Sequence, residues 1–70
     1  MERREILEQI SEVVNISYLE RKGTLVKSNF SKYKTGQRQP SADELKRIAW
    51  NIENIAIVRL QRLANELRRL

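Results

Sequence analysis

Side chains able to do covalent chemistry are scarce in this sequence. It has no histidine and no cysteine, so the usual zinc ligands, thiol nucleophiles and imidazole bases are all absent. The single aspartate, Asp43, falls where a helix start favours an acid, and the glutamates are scattered rather than paired. Ser17, Ser28, Ser31 and Ser41 have no histidine to activate them, which leaves only a lysine base open. Gly23 and Gly36 lie thirteen residues apart and form no phosphate loop. The sequence therefore predicts a binding protein rather than an enzyme, with no metal site and no cofactor.

Charge is what remains, and its distribution says more than its net value of +5. Residues 1–20 carry five glutamates against Arg3 and Arg4. Residues 21–42 carry Arg21, Lys22, Lys27, Lys32, Lys34 and Arg38 with no acid among them. A one-sign block in a short chain points to a polyanion, and nucleic acid is the common one. The plainer reading of the same charges is a solvated face. Inside the block, Lys27, Ser28, Asn29 and Lys32 have the chemistry of base reading. A lysine donates to guanine O6 and N7, an asparagine pairs with adenine, and a serine suits either base edge. Ser31, Lys34, Thr35 and Arg38 suit phosphate oxygens. A helix N-terminus at this point adds its own attraction for phosphate.

These residues need helices to hold them. From Glu2 to about Val14, Ile6, Ile10, Val13 and Val14 make one apolar stripe at helical spacing. Ser17 is placed to cap a short second helix, Tyr18 to Lys22, and Gly23 to stop it. A third helix runs from Val26 or Lys27 to about Thr35, with Leu25, Phe30 and Tyr33 turned inward and Gly36 ending it. Pro40 marks the loop that follows. Ser41 and Glu44 have capping-box spacing, opening a fourth helix with Leu45, Ile48, Ala49 and Ile52 on one face. Asn54 is placed to cap a fifth, Ile55 to Leu70. Trp50 is expected to pack inside. The expectation is an all-α, five-helix bundle containing a helix-turn-helix, one domain over residues 1–70.

The run Leu25-Val26-Lys27-Ser28-Asn29-Phe30-Ser31-Lys32-Tyr33-Lys34-Thr35-Gly36-Gln37-Arg38-Gln39-Pro40-Ser41 resembles the recognition helix and following loop of the Cro and phage-repressor helix-turn-helix family. The likeness extends over about residues 16–53, through Ile48-Ala49 and Ile52. It differs from the family pattern at Glu20, where a small residue is usual, at Gly23, one place before the usual turn glycine, and at Lys34, where a glutamate is common. The resemblance implies a five-helix domain whose base-contacting positions are Lys27, Ser28 and Lys32. It also implies a sequence-specific regulator binding double-stranded DNA, of the phage or mobile-element repressor, Cro-like or recombination accessory kind.

Further along, Ala56, Leu60, Leu63, Leu67 and Leu70 are spaced 4, 3, 4 and 3, as in the seam of a short coiled coil. The helix from about 54 to 70 is expected to close the core and to offer Leu60, Leu63, Leu67 and Leu70 as a homodimer interface, at least on DNA. Glu66 is placed to pair with Arg62. Two rivals follow from the same residues. One is a protein-interaction module, such as an antirepressor, that uses this apolar face and never touches DNA. The other is an RNA-binding domain, disfavoured because its few aromatics, Tyr18, Phe30, Tyr33 and Trp50, are mostly wanted for the core. The longest apolar run, Ile55-Ala56-Ile57-Val58, is far short of the ~18 residues that span a bilayer. The charged start, Met1-Glu2-Arg3-Arg4-Glu5, lacks the apolar stretch of a signal peptide. With no cysteine, a cytoplasmic, nucleoid-associated protein is expected.

Overall fold

The computed structural model describes residues 2–70. Among them it has four helices and no strand. α1 is Arg3–Val13, α2 is Ile16–Lys22 and α3 is Lys27–Thr35. The fourth, α4, is continuous over 42–69: Ala42–Asn51, a π-helical turn Ile52–Ala56, and Ile57–Arg69. The all-helical class is as expected, but the five-helix count is not. Residues 42–69 contain neither glycine nor proline, so nothing breaks the helix. Asn54 does not cap a new helix; its side-chain amide donates to the Trp50 carbonyl at 3.0 Å, inside the running one. One wide turn, with its i to i+5 bonding, takes up the residue that would otherwise have marked a break.

The start of α2 also moves. Asn15, not Ser17, is its cap: the Asn15 side-chain oxygen accepts from the Tyr18 amide at 3.1 Å. Asparagine ranks with serine as a capping residue, and starting at Asn15 adds Ile16 and Ser17 to the helix. Gly23 ends α2 and Gly36 ends α3, the latter at φ +80°, where a side chain would be strained. Ser41 opens α4 by accepting from the Glu44 amide at 3.1 Å.

The core is Leu7, Leu19, Leu25, Phe30, Tyr33, Ile48 and Ala56, with Ile10, Val14, Ile16, Tyr18, Ile52 and Ile55 packed round it. In α1 the buried stripe is rotated from the expected one. Leu7 is the residue that is buried, whereas Ile6 is 42% and Val13 77% exposed. Apolar residues at 6, 7, 10, 13 and 14 span more of the helix than a small core can cover. Packing selects the side that holds Leu7, Ile10 and Val14. Ala49 is exposed on α4, and Trp50 is half-exposed rather than packed inside. The core closes with Ile55 and Ala56, and no residue of Ile57–Arg69 is buried. That segment therefore extends past the body as an arm, which gives the molecule extents of 45 × 22 × 17 Å.

Candidate nucleic-acid interface

The wholly buried polar side chain Asn51 fixes how α2 and α3 are joined. From α4 its oxygen accepts from the Thr24 amide at 2.8 Å, and its amide donates to the Thr24 hydroxyl at 2.9 Å and the Arg47 carbonyl at 2.8 Å. Its polar atoms are thus satisfied, as burial demands. Gly23 is where the chain passes closest: a Cβ there would stand 2.0 Å from the Asn51 oxygen and 2.9 Å from the Leu19 carbonyl. Asn51 is not recognisable from the sequence, because nothing in its neighbours sets it apart from Asn54 and Asn65 of the same helix.

Glu20 supplies what the N-terminus of α3 lacks. Its N-cap, Val26, has no side-chain acceptor, and the Glu20 carboxylate reaches across from α2 to accept from the Lys27 amide at 2.9 Å. That carboxylate now holds the end of the helix where the sequence placed an attraction for phosphate. The Lys27 ammonium is likewise engaged, donating to the Ser17 hydroxyl at 2.7 Å.

With Phe30 and Tyr33 buried, the opposite face of α3 is Ser28, Ser31, Lys32 and Thr35, all exposed and spaced i, i+3, i+4 and i+7. Lys27 is also exposed, to one side of it. Asn29 and Lys34 flank the buried face and are only partly exposed, so they stand away from the centre of this surface. The Thr35 hydroxyl donates back to the Ser31 carbonyl at 3.1 Å, which leaves only its lone pairs for a ligand. Arg38 is exposed in the loop, its amide donating to the Lys32 carbonyl at 3.3 Å.

The basic block divides. Lys32, Lys34 and Arg38 gather at the C-terminal end of α3. Arg4 joins them from α1, its guanidinium lying 3.2–3.3 Å from where a Gly36 Cβ would stand. A cation there also complements the negative end of the helix. Arg4 sits in the acid-rich first segment, which concealed it as a member of this group. Lys22, in contrast, lines a shallow groove on the other side with Asn54, Val58, Arg59 and Arg62. Among the described residues, no group of three or more acidic side chains is placed to hold a metal ion.

The arm carries the residues predicted for dimerisation: Leu60, Leu63, Leu67 and Leu70 are 60%, 44%, 70% and 102% exposed. Leu60 and Leu63 face Val13 and Val14 across an open apolar cleft. Glu66 pairs with Arg69 at 3.3 Å instead of Arg62, one turn the other way. No helix of the described residues is long and apolar enough to cross a membrane. The chain matches no protein-family model, no curated protein and no solved structure.

Proposed function

We propose that this chain is a sequence-specific regulator that binds double-stranded DNA by laying α3 in the major groove. On this reading α2, the 23–26 link and α3 act as a helix-turn-helix. The observation that carries the proposal is the outward face of α3: short polar side chains and Lys32, with no acid on it and arginines at its end. Short side chains let the helix approach base edges closely, and the cations at its C-terminal end meet the flanking phosphates. Lys27, Ser28 and Lys32 take the base-reading role, with Asn29 at the margin. Ser31, Lys34, Thr35, Arg38 and Arg4 take the backbone role. The protein binds rather than catalyses, works on DNA in the cytoplasm, and fits a repressor, Cro-like or recombination accessory protein of a phage or mobile element.

One recognition helix reads only a few base pairs, so specificity calls for two copies on half-sites about 34–36 Å apart. The exposed leucines of the arm supply the pairing surface. They also favour the second reading, an interaction module of the antirepressor kind that binds another regulator through the arm alone. Salt separates the two. Each neutralised phosphate contributes about −0.9 to the slope of log K against log salt. Titrating labelled duplex between low and moderate salt is expected to give a slope of about −3.6 or steeper per chain, as four or more cations would produce. Absence of duplex binding at every salt concentration would point to the interaction module.

A further inference from the structure

We infer that the arm of one copy docks on α1 of a second copy, reciprocally, rather than leucine seam on leucine seam. This rests on the reading that two copies pair through the arm, and identifies the surface that receives it. α1 exposes Ile6 and Val13, and beside them Glu5, Glu8 and Glu12 form one stripe at i, i+3 and i+7. The arm offers the converse: an apolar stripe from Leu60 to Leu70, flanked by Arg59 and Arg62. Among the described residues the one ion pair is Glu66–Arg69, so neither acid stripe nor Arg59 and Arg62 are neutralised by a salt bridge within the chain.

Pairing two arms face to face would set Arg59 and Glu66 beside the seam and leave Arg62 without an opposite charge. Pairing arm with α1 brings arginines against glutamates and covers Ile6 and Val13 as well as the leucines. At 1.5 Å per residue the arm's stripe from Leu60 to Leu70 is ~15 Å long, enough to span the ~10 Å from Ile6 to Val13 with about one turn to spare. Within its own chain the arm meets α1 only at the open cleft where Arg59, Leu60 and Leu63 face Val13 and Val14, and Ile6, Leu67 and Leu70 stay without cover. A two-fold exchange satisfies both copies at once.

Sedimentation equilibrium of the full chain without DNA tests this independently of any DNA reading. The variants are Arg59→Glu/Arg62→Glu and Glu8→Arg/Glu12→Arg, all at exposed positions and each checked for helicity by circular dichroism. Each double variant alone is expected to self-associate about tenfold more weakly than wild type, or worse, because like charges then face one another. An equimolar mixture of the two is expected to recover wild-type association, since every arm again meets an opposite charge. Unchanged association of Glu8→Arg/Glu12→Arg would overturn the inference in favour of a leucine-on-leucine seam. So would a mixture that recovers nothing. A wild type that stays monomeric at millimolar concentration would overturn it too, and assign the arm to a different protein.

Discussion

Gly23→Ala is expected to cost about 2–4 kcal/mol of stability, a large share of the ~4–10 kcal/mol available to a chain of this size. The added methyl would stand 2.0 Å from the Asn51 side-chain oxygen and 2.9 Å from the Leu19 carbonyl. The carbonyl belongs to the backbone of α2 and accepts from the Gly23 amide, so it cannot retreat without unwinding the end of that helix. Asn51 cannot turn aside either. It is wholly buried, and rotating it leaves the Thr24 amide and its own amide without partners. A buried polar group so orphaned costs about 1–3 kcal/mol. Asn51→Ala removes the clash together with the bonds, so the two substitutions are expected to be less than additive. Urea unfolding followed by circular dichroism reads all three variants. A Gly23→Ala chain within about 0.5 kcal/mol of wild type would mean that the link between α2 and α3 is not held as described.

Lys32→Ala is expected to weaken binding to a duplex selected from a random pool by about 1–3 kcal/mol, while leaving the fold intact. Lys32 is exposed, its ammonium lies on the outward face one turn beyond Ser28, and no core residue depends on it. Its loss is expected to fall on the selected sequence more than on a scrambled duplex. Arg38→Ala is the contrasting case. Arg38 stands in the loop beyond α3, so its loss is expected to weaken both duplexes alike, as a phosphate contact does. Lys27→Ala combines both kinds of effect, because its ammonium also ties α3 to Ser17 of α2. Equal binding of the selected duplex by wild type and Lys32→Ala would remove α3 as the reading element.

The features legible in the sequence are those written in local chemistry. Gly36 and Ser41 mark their boundaries by backbone conformation and capping, and Phe30 and Tyr33 by their spacing against a polar run. Gly36 thereby fixed the end of α3 and Ser41 the start of α4. The features that were not legible depend on distant parts of the chain. Which side of α1 is buried is decided by what it packs against, so Leu7 displaced the stripe through Ile6 and Val13. Asn54 looks like a cap from its neighbours alone, yet a helix with no breaker runs through it. Asn51 and Arg4 act across the fold, on Thr24 and over Gly36, and no spacing rule connects such pairs. Glu20 is a mismatch to the resembled pattern that the structure turns to use as the acceptor for the first amide of α3.

On the proposed reading, α3 and its C-terminal cations form the face that meets duplex DNA. Backbone amide shifts of the isotope-labelled chain, followed while the selected duplex is added, test it most directly. The largest changes are expected at residues 27–38 and at Arg4, with only smaller ones along 5–13 and 57–70 from docking of the arm on α1 of the second copy. Changes confined to the arm, or none at saturating duplex in low salt, would contradict it.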